Sequence, residues 1–113
     1  DIRFPEWLRK QAARGPQVIF VSAEWPTVRQ MQWRLLLQAR AIENQAFVVA
    51  VNRVGSDPDN QFGGQSLVID PLGQIVAIGG AHAQLITAEL DLTQVDQVRG
   101  QIPVFEDRRP ELY

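Results

Sequence analysis

The chain of 113 residues contains no cysteine, a single histidine and a single methionine. Without cysteine it can form no internal disulfide, no thiolate metal site and no nucleophilic thiol of its own. Its 11 basic and 13 acidic side chains give a net charge of −2 and are dispersed along the sequence. Because a dense basic patch is absent, neither nucleic acid nor an anionic membrane surface is expected as a partner.

Long hydrophobic runs are also missing. No apolar stretch approaches the length that spans a bilayer, and the first residues have no signal-peptide pattern. The hydrophobic fraction is nevertheless 45%, which is enough for one domain with a core. We therefore predict a single domain over residues 1–113 and a cytoplasmic location.

The first quarter of the chain predicts a helix followed by a strand. Pro5 suits the first turn of a helix that runs to residue 14, with Trp7, Leu8 and Ala12 able to share one face. Residues 17–22 form a continuous apolar run between turn-forming residues, which is typical of a buried strand in a parallel sheet.

A second, longer helix is predicted from a cap at Thr27 to about residue 45. A rotation of about 100° per residue predicts a stripe facing water that consists of Arg34, Gln38, Ala41 and Gln45. Arg40 and Glu43 fall on the opposite, packed face at a spacing of three residues. A structural ion pair is favoured there over a substrate clamp, because an unpaired buried charge would strongly destabilise the fold.

The second half of the chain predicts mainly short strands. The expected elements are a buried strand at 47–51, a polar loop at 56–64, a hairpin of 66–69 and 74–78 around a type I turn at 70–73, a strand at 84–90, a helix capped by Thr93 and an irregular tail at 104–113. Together with the first half, this order predicts an α/β fold with a mixed sheet and helices on one face.

Few residues suggest chemistry by themselves. His82 lies in a Gly-rich turn and is expected to be a solvated loop residue, and the oxygen-rich segment 57–60 lacks the pattern of a calcium loop. Asn52 and Arg53 end a buried strand, where anchoring of a loop is favoured over contact with a ligand. Glu24 and Trp25 lie at the corresponding end of the preceding strand, where a pocket wall and a packed loop are equally compatible with the sequence.

Several ordered motifs nevertheless resemble one family. They are DIRFPE at 1–6, AEWP at 23–26, ARAIENQAFVV at 39–49, VNRVG at 51–55, GQSLVIDPLG at 64–73 and IPVFEDRRPELY at 102–113. In this order they are similar to the carbon–nitrogen hydrolase, or nitrilase, superfamily, and they extend over essentially the whole chain.

The resemblance implies an αββα sandwich of more than twice this length, of which the chain is the C-terminal portion. It also implies a Glu–Lys–Cys triad that works without a metal or an organic cofactor. The triad is expected on the upstream half of the same enzyme, with the nucleophilic Cys two residues before Asp1. No residue of this chain is therefore expected to be catalytic.

The resemblance assigns supporting roles to residues that are present. Substrate binding is expected from Ala23, Glu24 and Trp25. Support of the active site is expected from Asp1, Arg3, Arg40, Glu43 and Asn52. Relatives assemble as homodimers or larger oligomers, so a homo-oligomer is expected as well.

The motifs are most similar to the ω-amidase-like branch, which implies a small amide substrate such as the ω-amide of a 2-oxo acid. Glu24 departs from that branch, where a neutral Asn or Gln is common. A carboxylate in the pocket would repel a 2-oxo acid anion. Either the substrate differs, or Glu24 points away from it. The alternative function is that of a non-catalytic interaction domain that retains the fold.

Overall fold

A four-stranded mixed sheet lies at the centre of the molecule, which the computed structural model describes from residue 1 to residue 113. The strands are β1 (Val18–Ala23), β2 (Phe47–Asn52), β3 (Val54–Ser56), β4 (Gln61–Gly63), β5 (Leu67–Ile69) and β6 (Ile75–Ile78). The sheet has the order β1-β2-β5-β6, in which β1 and β2 are parallel and the other pairs are antiparallel. Strands β3 and β4 form a separate hairpin.

The chain also contains four helices. They are α1 (Pro5–Ala12), α2 (Gln30–Asn44), α3 (Thr93–Gln101) and α4 (Val104–Asp107), with 3-10 turns at Thr27–Arg29 and Pro110–Leu112. Helix α2 packs against β2 and β5, and α1 packs against α2. No helix combines the length and the apolar character that crossing a membrane requires. The predicted α/β fold with a mixed sheet is confirmed.

The core is the layer between α2 and the sheet. The buried residues of α2 recur every three or four positions, as expected for one helix face: Trp33, Leu37, Arg40, Ala41 and Asn44. The three hydrophobic ones, Trp33, Leu37 and Ala41, form a cluster with Val48, Ala50, Leu67 and Ile69 from β2 and β5. Burial of one side chain of this size contributes about 1.5–3 kcal/mol to stability, so this layer supplies much of the driving force for folding.

The predicted water-facing stripe of α2 is wrong at two positions. Ala41 is fully buried, and Gln45 is buried beyond the helix end in a left-handed conformation. The stripe is correct at Arg34, which is exposed, and Trp33 is buried on the opposite, packed face as predicted. Thr27 is also not a side-chain cap, since it begins the 3-10 turn that precedes α2.

Helix α1 is shorter than predicted. It ends at Ala12, and the chain turns away through Gly15, whose φ of 92° favours glycine. Leu8 and Ala12, four residues apart, are buried, whereas Trp7 is exposed. The prediction placed all three on one face, but a rotation of about 100° between adjacent residues separates Trp7 from Leu8.

The apolar run of β1 predicted a strand that is buried on both faces, and this prediction is wrong. Strand β1 lies at the edge of the sheet, and its inward residues alternate with exposed ones. Phe20 is 78% exposed, and Val51 of β2, two residues beyond Phe20's register partner Val49, is exposed on the same face. Helices α1 and α2 cover only the opposite face at this end of the sheet, which leaves these apolar side chains uncovered.

Two turns explain the hairpins. The predicted loop at 56–64 is instead the β3–β4 hairpin, whose connection is closed by the Asp57 carboxylate accepting the N–H groups of Asp59 and Asn60 at 2.9 and 2.7 Å. These backbone hydrogen bonds, chiefly that from Asp59, lower the pKa of Asp57. The predicted β5–β6 hairpin is confirmed, and the N–H of Gly73 donates to the carbonyl of Asp70 at 2.9 Å.

The strand predicted at 84–90 is absent, and Leu85 is 89% exposed. Alternation of apolar residues does not form a strand without a neighbour whose backbone groups complete the ladder. Thr93 is not a cap either, because its own N–H and hydroxyl donate to the Asp91 carboxylate at 3.1 and 2.6 Å.

The predicted irregular tail contains α4 and a final 3-10 turn. Its anchor is Phe105, whose ring lies 5.0 Å from the guanidinium of Arg9 in α1 and 5.3 Å from that of Arg99 in α3. Burial lowers the pKa of both arginines. Arg99 also donates to the carbonyl of Pro16 at 2.8 Å. The tail is therefore joined to both helices.

Candidate active site

A cavity of about 440 Å³ opens at the carboxyl end of β1. It lies between the N-terminal segment and the loop that follows the strand. The residues that give it its chemical character are Asp1, Arg3, Phe20, Glu24, Trp25 and Arg29. Ligand pockets of α/β sheets commonly lie at this end of the strands, so the cavity is the candidate active site.

The N-terminal segment is shaped by an ion pair between Asp1 and Arg3. The carboxylate of Asp1 accepts the main-chain N–H of Arg3 at 2.8 Å and its side-chain Nε at 3.1 Å. The guanidinium of Arg3 also lies 5.1 Å from the ring of Trp25. Asp1 and Arg3 therefore support each other and hold the segment against the cavity.

Arg40 fixes the same segment from behind. Its Nε donates to the carbonyl of the buried Ile2 at 2.8 Å, and its Nη1 donates to Glu43 at 2.8 Å. Neither Arg40 nor Glu43 lines the cavity. The predicted ion pair is thus present, and its geometry matches the structural interpretation rather than the substrate clamp.

The side chain of Asn52 binds the backbone of the pocket loop, residues 23–26. The Oδ1 of Asn52 accepts the N–H of Trp25 at 2.7 Å, and its Nδ2 donates to the carbonyls of Trp25 at 3.1 Å and Gly64 at 2.9 Å. The N–H of Arg53 continues the ladder to the carbonyl of Ala23 at 3.0 Å. Asn52 is therefore a loop anchor, the interpretation that the sequence favoured.

Two tryptophans form the floor beside this loop. The rings of Trp25 and Trp33 lie 5.7 Å apart, and both side chains are buried. The indole N–H of Trp25 donates to the carbonyl of Arg29 at 2.6 Å, and that of Trp33 donates to the carbonyl of Gln65 at 2.9 Å. Each ring is thus fixed by a hydrogen bond to the backbone, which gives the cavity a rigid aromatic wall.

Glu24 lies at the cavity wall, and its carboxylate forms an ion pair with the side chain of Arg53. The Nη1 of Arg53 is 3.1 Å from the Oε1 of Glu24, and the Arg53 guanidinium lies 4.5 Å from the ring of Phe62. Glu24 therefore lines the cavity, and its charge is paired with an arginine outside the cavity lining. Neither alternative posed for it, a different substrate or a side chain that points away, included this pairing.

The structure brings five of the predicted site residues to the cavity: Asp1, Arg3, Ala23, Glu24 and Trp25. It places Asn52, Arg40 and Glu43 behind them. His82 is exposed in the segment without regular structure, and Asp57 serves the β3–β4 turn. No group of three or more potential metal ligands occurs among His, Cys, Asp and Glu side chains.

Sequence reasoning missed Phe20 and Arg29 as cavity residues. Phe20 could have been found from the alternation along β1, because it lies on the face opposite Val21. Arg29 has no comparable signal, since it reaches the cavity only because residues 27–29 fold into a 3-10 turn. Arg29 is exposed and forms no ion pair, whereas Arg3 and Arg53 each have a carboxylate partner.

Comparison with known proteins gives a consistent result. A family model described as carbon–nitrogen hydrolase matches residues 1–100. The 2-oxoglutaramate amidase of Bacillus subtilis (strain 168) is 55% identical over 113 residues, which are 100% of this chain and 44% of that protein. The chain thus spans less than half the length of this curated relative.

Solved structures show the same similarity. The NitFhit protein of C. elegans superposes with a TM-score of 0.91 at 42% identity, covering 100% of this chain and 28% of that one. A mutant amidase from Nesterenkonia sp. AN1 superposes with a TM-score of 0.77 at 30% identity, covering 98% of this chain and 39% of that one. That structure carries the acetamide moiety of fluoroacetamide added covalently at its active-site cysteine.

Proposed function

The chain belongs to the carbon–nitrogen hydrolase family, and on that premise we propose that the protein containing it is an amidase with a cysteine nucleophile. It would hydrolyse the C–N bond of a small carboxamide to a carboxylic acid and ammonia. The observation that carries the proposal is the meeting of the N-terminal segment and the pocket loop at one cavity. These two segments carry motifs that are separated in sequence and adjacent in the fold.

The proposed nucleophile is a Cys on a preceding segment, two residues before Asp1, with the Glu and Lys of the triad further upstream. Asp1 lines the cavity, so a residue that close to it in sequence would be within reach of a bound amide. Helix α1 begins at Pro5, and the positive end of a helix together with a neighbouring Lys lowers the pKa of a thiol. The covalent adduct at the cysteine of the Nesterenkonia amidase supports this assignment.

The proposed reaction has two halves. The thiolate sulfur attacks the amide carbonyl carbon, and the resulting oxyanion is stabilised by Lys and by a backbone N–H. The C–N bond then breaks, the nitrogen takes from Glu the proton that the Cys thiol had given up, and ammonia leaves a thioester behind. Glu then removes a proton from a water molecule that attacks the thioester, which releases the carboxylic acid and regenerates the thiolate with Glu again protonated.

The proposed substrate is the ω-amide of a 2-oxo acid. The name and the 55% identity of the Bacillus subtilis relative support this class. Within the cavity, Asp1 and Glu24 are each paired with an arginine, and Arg29 remains as an unpaired cation. An unpaired cation beside an aromatic wall suits a small molecule with one carboxylate.

The proposed residue roles follow the positions already described. Substrate contact is assigned to the wall formed by Ala23, Glu24 and Trp25. Support is assigned to the residues that hold this wall and the N-terminal segment in place: Asp1, Arg3, Arg40, Glu43 and Asn52. The comparisons give no support to the alternative of a non-catalytic interaction domain.

The proposed partner of the exposed sheet face is the upstream half of the enzyme. Phe20 and Val51 lie uncovered on that face, and apolar surface of this kind is normally buried against another layer. A homo-oligomer and a cytoplasmic location complete the proposal.

Ammonia release from 2-oxoglutaramate by the full-length protein tests this function. We expect turnover by the wild type and none after replacement of the Cys two residues before Asp1 by Ala. Mass spectrometry under rapid quench should detect the acyl adduct on that Cys in the wild type. Absence of hydrolysis with any short-chain amide, or hydrolysis that survives the Cys replacement, would overturn the proposal.

A further inference from the structure

The Glu24–Arg53 ion pair joins the cavity to the β3–β4 hairpin. Ala23 and Asn52 are register partners in the parallel β1–β2 pair, so the next residues, Glu24 and Arg53, emerge side by side at the same edge of the sheet. Their charged atoms are 3.1 Å apart. Of the two, only Glu24 lines the cavity.

Arg53 is held in this place by the hairpin. Its guanidinium lies 4.5 Å from the ring of the buried Phe62, and its Nη2 is 3.4 Å from the carbonyl of Ser56. Phe62 also forms a β-bridge with Pro26 at the end of the pocket loop. The hairpin therefore fixes both the backbone of the loop and the cation beside its carboxylate.

We propose that Arg53 is a positioning residue that neutralises Glu24 and so permits the cavity to accept an amide that also carries a carboxylate. This inference rests on the proposed function and adds a determinant of substrate charge to it. A free carboxylate at the Glu24 position would repel an anionic substrate in the cavity. Arg53 removes that repulsion without occupying space in the cavity.

The test compares two substrates of similar length in the full-length enzyme. They are 2-oxoglutaramate, which is an anion, and pentanamide, which is neutral. Arg53→Gln should lower kcat/KM for the anion by roughly threefold to tenfold, mainly through KM, and leave the neutral amide within about twofold. Glu24→Gln alone leaves the Arg53 cation unpaired beside the cavity, so it should shift the ratio of the two substrates in favour of the anion.

The double variant Glu24→Gln/Arg53→Gln separates charge from loop structure. If Arg53 acts by neutralising Glu24, removing both charges should restore most of the activity with the anion. If Arg53 only stabilises the loop, the double variant should remain as impaired as Arg53→Gln with both substrates, and the proposal is wrong. Arg34→Gln, which removes an exposed arginine of α2, is the matched control and should leave both substrates unchanged.

The affinity for glutarate, measured by titration calorimetry, compares the wild type, Arg53→Gln and the double variant without turnover. Weaker glutarate binding in Arg53→Gln, with recovery in the double variant, supports the role of Arg53 even if the wild type hydrolyses neither amide. In that case only the proposed reaction fails. Equal glutarate affinity in the wild type and Arg53→Gln, or no glutarate binding by the wild type, overturns the inference itself.

Discussion

The pocket loop and the segment 81–92 are both irregular, and both follow a strand of the same sheet, yet they differ in how their polar groups are satisfied. The N–H and the carbonyl of Trp25 are bound by the buried amide of Asn52. In the segment 81–92, the side chain of Gln84 receives one backbone N–H, from Gly80, and Leu85 projects into solvent. In the pocket loop, a buried side chain therefore replaces the ladder that irregular backbone lacks.

Asn52→Ala should destabilise the protein most, because it removes the buried side chain that binds the pocket loop and has no counterpart in the segment 81–92. Three hydrogen bonds are lost, and the buried N–H of Trp25 is left without a partner. We expect the free energy of unfolding of the full-length protein to fall by about 2–4 kcal/mol in urea titrations. Asn60→Ala, at an exposed turn position, is the control and should change it by less than about 0.5 kcal/mol. If both variants lost the same free energy of unfolding, Asn52 would stabilise the pocket loop no more than an exposed turn residue stabilises its turn.

Arg40→Met should have the next largest effect, since Arg40 anchors the N-terminal side of the same cavity. The substitution keeps most of the apolar stem but removes the donor to Ile2 and leaves Glu43 unpaired. Because Glu43 is partly exposed, we expect a loss of about 2 kcal/mol rather than the larger value typical of a fully buried pair. Arg34→Met on the exposed side of α2 provides the reference. A loss equal to that reference would show that the N-terminal segment does not depend on Arg40.

Trp25→Phe sharpens the comparison by removing the indole donor of the pocket loop. An aromatic ring is retained, but it is smaller than the buried indole, and the hydrogen bond to the carbonyl of Arg29 is lost. A destabilisation of about 1–2 kcal/mol is expected from thermal unfolding followed by circular dichroism. Trp7→Phe changes an exposed indole that donates no hydrogen bond and should be nearly silent. If both tryptophans respond alike, the indole N–H of Trp25 has no role in holding the loop.

Leu85→Ser should have the smallest effect, within about 0.5 kcal/mol, because an exposed side chain loses no burial when it is shortened. Calorimetric melting of the full-length protein checks this expectation. A loss above about 1.5 kcal/mol would mean that the segment 81–92 is covered in the complete protein, and that it resembles the pocket loop more than this chain shows.

Much of the fold could be predicted because it depends on local patterns. The parallel β1–β2 pair, the helix between them and the turn at residues 70–73 follow from apolar runs, helix periodicity and turn chemistry. The burial of Ala41 and Gln45 could not be predicted, because it depends on how closely the end of α2 packs against the rest of the chain. The prediction of a strand at 84–90 failed because alternating apolar residues are typical of a strand, but a neighbouring strand is needed to form one.

The candidate site divides in the same way. Ala23, Glu24 and Asn52 could be located at one sheet edge because parallel strands end together. Arg29 could not, since its position depends on a 3-10 turn after Pro26. The pairing of Glu24 with Arg53 follows from a register of β1 and β2 that the sequence does not specify.

The stack of Arg9, Phe105 and Arg99 has a consequence for the order in which the protein can be completed during synthesis. Chains emerge from the ribosome from the N-terminal end, at about 5–20 residues per second. The residues of α1 therefore emerge several seconds before Phe105 is available to contact Arg9. Until then the guanidinium of Arg9 lacks its aromatic partner, and the contact that joins α1 to the tail forms only after residue 105 has been synthesised.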